Sequence, residues 1–161
     1  MTEKKNKLIL IYIFIFLSIS LVSAFLIEFW LGHEPCKLCL YQRIPYILAI
    51  FLLIKIFFIK GYEKITLLIM FLIFLASSIL AFYHFGIEQG FFNESYACVA
   101  ENFSETTSKE EILKQLKENN ISCKDVSFKI MGLSLASINT IFSIILSVIF
   151  LRLYLNYEKN R

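Results

Sequence analysis

Cys36-Lys-Leu-Cys39 and, four residues after the second cysteine, Arg43 are the side chains here best suited to do chemistry. Two thiols separated by two residues can close a small disulfide ring reversibly, and the thiolate is the species that reacts. A thiolate at a helix start or beside a guanidinium has a lowered pKa and a larger reactive fraction. If a helix begins near Cys39, Arg43 lies one turn further along the same face, close to the pair. Pro45 complicates that start, because proline favours a first turn near Ile44 or a kink. Two more cysteines stand far down the chain, in Asn93-Glu-Ser-Tyr-Ala-Cys98 and Asn119-Asn-Ile-Ser-Cys123.

Several chemistries compete for the C-x-x-C pair. A c-type haem site needs His after the second cysteine, and residue 40 is Leu. A zinc site would join the pair to Cys98 and Cys123, which form no second knuckle and have no His near them in sequence, so no metal is expected. A soluble thioredoxin motif would need βαβ surroundings, which are absent. Two structural disulfides fit an even cysteine count as well, and an arginine at a membrane boundary is commonly a headgroup anchor.

The elements that must position these groups come from a chain of 161 residues, 58% apolar, with a mean hydropathy of +0.69. A soluble domain carries roughly 45 to 50% apolar residues, so a soluble enzyme is excluded. The apolar residues fall in runs: 8–27, 65–87 and 130–151 hold no charge, and each can cross about 30 Å of hydrocarbon as a helix. A fourth run, 44–59, reaches spanning length when extended back to Cys39, with Lys55 snorkelling from its last turn. The expectation is one all-α membrane domain over 1–161, a bundle of four transmembrane helices (8–27, 39–59, 65–87, 130–151) with outer loops 28–43 and 88–129. The net charge of +3 leaves no basic face for nucleic acid.

Lys and Arg placement orients the bundle. Segments 1–7, 55–64 and 152–161 hold nine of the 16 Lys and Arg residues; the longer segments 28–43 and 88–129 hold seven. Both termini and the Lys60 to Lys64 turn should therefore face the cytoplasm, and all four cysteines the oxidising side, where disulfides persist. Lys4, Lys5 and Lys7 before an apolar run, then Val22-Ser23-Ala24, resemble a signal peptide, but the run continues through Ile27 and is read as a retained helix.

In the second outer loop, Ser108-Lys-Glu-Glu111 is a capping box opening a short helix, with Ile112, Leu113 and Leu116 on one face. Phe29, Trp30 and Tyr41 form an aromatic belt at the membrane boundary. Glu88 and Gln89 read as interfacial. A lone His84 near a span end is more commonly a hydrogen-bonded structural residue than a site residue.

Three segments together carry a resemblance. Pro35-Cys36-Lys-Leu-Cys39-Leu-Tyr-Gln-Arg43, then Tyr83-His84-Phe-Gly86-Ile-Glu88-Gln-Gly90 leading to Cys98, then Cys123 followed by Gly132-Leu-Ser-Leu-Ala136, are similar to the DsbB family of bacterial quinone-linked, disulfide-forming membrane proteins. Lys124 departs by separating Cys123 from Asp125, and Asn139 stands where an aromatic-Asn pair is common; neither touches a catalytic position. The resemblance implies a bacterial cytoplasmic-membrane thiol:quinone oxidoreductase. A reduced periplasmic thioredoxin-fold dithiol, a DsbA-like partner, would attack a Cys98-Cys123 disulfide at Cys98. Electrons would pass to Cys36-Cys39 through Cys123 and Cys36, and from Cys39 to ubiquinone or menaquinone of the membrane lipid pool. Arg43 would stabilise the Cys39 thiolate and negative charge on the quinone, and His84 would approach the ring. A related quinone-coupled enzyme with a dedicated partner would keep these residues. A non-enzymatic four-helix protein with two structural disulfides would need neither Arg43 nor a reducible pair.

Overall fold

The computed structural model describes residues 2–33, 35–59, 61–93, 123–124, 129–130 and 132–159. Its helices are α1 (Thr2–Phe29), α2 (Lys37–Phe58), α3 (Glu63–Glu88) and α4 (Leu135–Lys159). A hairpin of β1 (Lys129–Ile130) and β2 (Leu133–Ser134) precedes α4. Asn6–Phe29, Lys37–Phe58, Glu63–Glu88 and Leu135–Tyr157 are each long and apolar enough to cross a membrane. The fold class is the expected one, all-α with four spanning helices. Cys98 and the capping-box helix expected after Ser108 lie outside the described residues.

Each helix gives the core one narrow stripe: Leu10, Ile13 and Leu17; Tyr46, Ala49 and Leu53; Leu67, Met70 and Phe74; Leu146, Phe150 and Leu153. Steps of three and four residues keep side chains on one helical face. The opposite faces remain apolar, with Phe51 and Ile79 each 65% exposed. In water that surface would drive aggregation, whereas lipid solvates it. Lipid is also as apolar as the core, so dispersion and interhelical hydrogen bonds hold the bundle together. Phe74 stacks on Phe150 at 5.5 Å, Tyr46 meets Phe74 edge-on at 5.9 Å, and Ser77 and Ser143 hydroxyls pair at 3.2 Å between α3 and α4. One such hydrogen bond contributes about 0.6 kcal/mol in a membrane.

One helix start agrees with expectation and one does not. α2 begins at Lys37, close to the expected Cys39, and Pro45 lies inside it, because the N-cap at Cys36 and not the proline sets the start. The apolar run from Ile130 is not helical at its start. The chain turns at Gly132 (φ +85°), pairs Ile130 with Leu133, and enters α4 only after Ser134, whose Oγ accepts from Ser137 N–H at 3.2 Å. A left-handed glycine and a serine N-cap outweigh hydropathy there.

Candidate redox site

Cys36 is the extended N-cap residue of α2, and its Sγ accepts the Cys39 N–H at 3.3 Å, where a capping oxygen would ordinarily sit. The first helical turn then brings the Cys36 and Cys39 sulfurs to 2.8 Å as free thiols. The hydrogen bond from Cys39 outweighs burial and, with a further one from His84, holds the Cys36 thiol well below the usual thiol range. This favours the thiolate form of Cys36.

On one side, α3 supplies His84, which is 2% exposed. Its Nε2 lies 3.5 Å from Cys36 Sγ, and its Nδ1 accepts from Gln42 Nε2 at 2.9 Å. Glu88, one turn on, places Oε1 3.7 Å from His84 Nε2, with a side chain only 6% exposed. Its span-end position suggested an interfacial group, but four-residue spacing puts it on the buried face with His84. Cys123 joins this side: it is disulfide-bonded, 2% exposed, and buried in one apolar cluster with Cys36, Leu38 and Ile87.

On the other side, a cavity of about 390 Å³ opens between α1, α2 and α4. Phe16, Ile19, Ile138 and Phe142 give it apolar walls, and Cys39, Gln42, Arg43, Glu28 and Asn139 supply polar atoms. The volume and the mostly apolar lining with a few convergent polar groups suit a small ring-bearing ligand. Cys39 and Arg43 share this wall, as their four-residue spacing predicts. The guanidinium nevertheless reaches across to α1, donating to the Glu28 carboxylate and to the Ala24 carbonyl at 3.5 Å, with the Phe25 ring 5.0 Å away. His84 does not line the cavity; Gln42 stands between them, bonded to one and lining the other. Phe29, Trp30 and Tyr41 are exposed at the bundle's outer end and are not part of the cavity wall.

The sequence reading gave no site role to Gln42, Glu28, Tyr46 or Asn139. Gln42 and Asn139 had a signal, since an amide inside an apolar span must find a partner. Asn139 Nδ2 donates to Gln42 Oε1 at 2.6 Å, and Tyr46 OH donates to Asn139 Oδ1 at 2.6 Å. Cys36, Cys39 and His84 also bring three metal-type donors within 4.8 Å of one another. Zinc would need the Nε2 lone pair, whereas the Gln42 amide donating to Nδ1 leaves the proton on Nε2.

Comparison with known proteins finds relatives over most of the chain. The chain is 33% identical over 144 residues to an uncharacterized protein of Rickettsia prowazekii (strain Madrid E), covering 88% of this chain and 83% of that one. No solved structure matches it. The family pattern described as disulfide bond formation protein DsbB matches residues 6–153, from the first spanning helix to the fourth. The chain belongs to the DsbB family and is a multi-pass membrane protein of disulfide bond formation.

Proposed function

We propose that this protein is a dithiol:quinone oxidoreductase that reoxidises a DsbA-like dithiol on the outer side of the bacterial cytoplasmic membrane. The observation that carries the reading is the division of the Cys36-Cys39 pair, with Cys39 in the wall of the cavity and Cys36 buried beside Cys123. In the first exchange the partner's thiolate attacks a Cys98-Cys123 disulfide at Cys98. A mixed disulfide forms, and Cys123 leaves as thiolate. Cys123 then attacks Cys36 of the oxidised Cys36-Cys39 disulfide, so Cys39 leaves as thiolate at the cavity. The second thiol of each dithiol resolves each mixed disulfide. The partner and the Cys98-Cys123 pair end as disulfides, and the Cys36-Cys39 pair ends as a dithiol.

A quinone fits the cavity by size and lining, and when bound it accepts two electrons and two protons and departs as quinol. Arg43, ion-paired with Glu28, brings its guanidinium to the cavity wall, and Gln42 and Asn139 supply amide groups that can orient a carbonyl. The net reaction converts a partner dithiol and a quinone into a partner disulfide and a quinol. Anaerobic mixing of the purified reduced protein with ubiquinone or menaquinone, followed by quinone absorbance, tests it. Loss of quinone absorbance together with two thiols per chain is expected; unchanged absorbance with both thiols retained defeats the proposal. Cys98→Ser separates the halves, abolishing partner exchange while leaving Cys36-Cys39 oxidisable by quinone.

A further inference from the structure

Polar side chains from three helices form one continuous chain that ends on the Cys36 sulfur. Tyr46 OH donates to Asn139 Oδ1 at 2.6 Å, and Ser143 Oγ donates to the same oxygen at 3.4 Å. Two hydroxyl donors on one oxygen orient the Asn139 amide so that its Nδ2 faces Gln42, and this group donates to Gln42 Oε1 at 2.6 Å. With its oxygen engaged, Gln42 has only its amide nitrogen to offer His84 Nδ1, at 2.9 Å. A donor facing Nδ1 requires that nitrogen to be the acceptor, so the imidazole proton sits on Nε2, 3.5 Å from Cys36 Sγ.

We infer that Gln42, Asn139 and Tyr46 are positioning residues, which hold His84 in the tautomer that presents Nε2–H to the Cys36 sulfur. The inference rests on the reading of Cys36-Cys39 as the redox pair and adds residues that touch neither sulfur. A sulfur leaving or attacking as thiolate needs a donor in place beforehand, and a freely choosing imidazole would spend part of its time offering a lone pair instead. The groups facing Cys36 are Cys39, whose sulfur lies 2.8 Å away, and His84, whose Nε2 also has Glu88 Oε1 at 3.7 Å. The Asn139 end of the chain reaches Cys36 through Gln42 and then His84.

The full-length reduced protein in detergent, labelled at histidine with nitrogen-15, gives the test. The chain has two histidines, His33 and His84, so the ring-nitrogen shifts are assignable with a His33→Gln control. The expected wild-type result is a single His84 tautomer with the proton on Nε2. Gln42→Leu should populate the Nδ1–H tautomer and raise the midpoint of thiolate ultraviolet absorbance of Cys36 by about one pH unit. Tyr46→Phe, which deletes a single oxygen, should move both readouts the same way by less. If Gln42→Leu does not fold, Tyr46→Phe carries the test. A wild-type His84 protonated on Nδ1, or tautomer and thiolate midpoint both unchanged in folded variants, overturns the inference. Neither readout uses quinone, so a failure of quinone reduction with these shifts intact would defeat the proposed function alone.

Discussion

Only Lys37 and Leu38 separate Cys36 from Cys39, and the fold gives the two cysteines opposite surroundings. Hydrogen bonding to Cys39 and His84 lowers the pKa of the Cys36 thiol, and that has a thermodynamic consequence. Because its folded pKa is depressed, the unfolded chain binds the proton more tightly, and stability rises with pH below the ordinary thiol value of 9.0. The contribution is complete above that value and is lost as pH falls through the lowered folded one. The reduced protein should therefore unfold at a higher temperature at about pH 8 than at about pH 5, and Cys36→Ser should flatten the difference. Oxidation to the Cys36-Cys39 disulfide should flatten it equally, since a disulfide does not titrate. An unchanged slope in both would deny the thiolate. Arg43 makes a second case. Its fork is engaged by Glu28 and Ala24 on α1 while it walls the cavity. Arg43→Ala should raise the apparent KM for quinone roughly tenfold, and Arg43→Lys, which keeps charge without the planar fork, by less. Steady-state quinone titration separates this from a headgroup anchor, for which both variants would match wild type. The thiols and Arg43 were legible in the sequence because their spacing is local. Glu28 was not, since its partner is fifteen residues away on another helix and only the packing of α1 on α2 unites them.

At the scale of elements, the end of α3 shows a dependence on what a residue lacks. Gly90 (φ +79°) closes the helix, and the chain folds back so that Phe91 N–H and Phe92 N–H both reach the Gly86 carbonyl, at 2.8 and 3.2 Å. The returning Phe92 ring stacks on Tyr83 at 5.6 Å and occupies the space a side chain on Gly86 would need. Gly86→Ala should therefore destabilise the protein, by about 1 kcal/mol, because overpacking exceeds the helix-propensity gain. In a Phe92→Ala background the clash is gone, and the same substitution should stabilise by roughly 0.5 to 1 kcal/mol. Thermal unfolding of the four proteins closes this cycle, and equal effects in both backgrounds would show that the ring does not rest on Gly86. The four spans were readable because a 20-residue apolar run has few alternatives to a membrane helix. Their ends were not, because hydropathy is blind to a sulfur acting as N-cap before Pro45 or to a glycine hairpin inside the last apolar run.

For the whole molecule, four crossings put both termini on one side, and the α1-to-α2 connection and the segment between α3 and α4 on the other. The Lys and Arg residues choose which side is which. They concentrate in the two termini and the α2-to-α3 turn, the segments that the positive-inside rule keeps in the cytoplasm. All four cysteines lie in or beside the opposite segments, which the same rule predicts to face the compartment in which a disulfide donor would be of use. After reduction, an impermeant maleimide should label Cys98 and Cys123 from outside the cytoplasmic membrane and leave them unlabelled in sealed inverted vesicles. Labelling only from the cytoplasmic face would invert the bundle and remove the oxidising compartment from the proposed relay. The seven Lys and Arg residues of the outer segments do not oppose this outcome strongly, because the second outer loop spreads its share over 42 residues and intersperses eight acids among them. The short segments predicted to be cytoplasmic carry their charges within a few residues of the helix ends, where retention is decided.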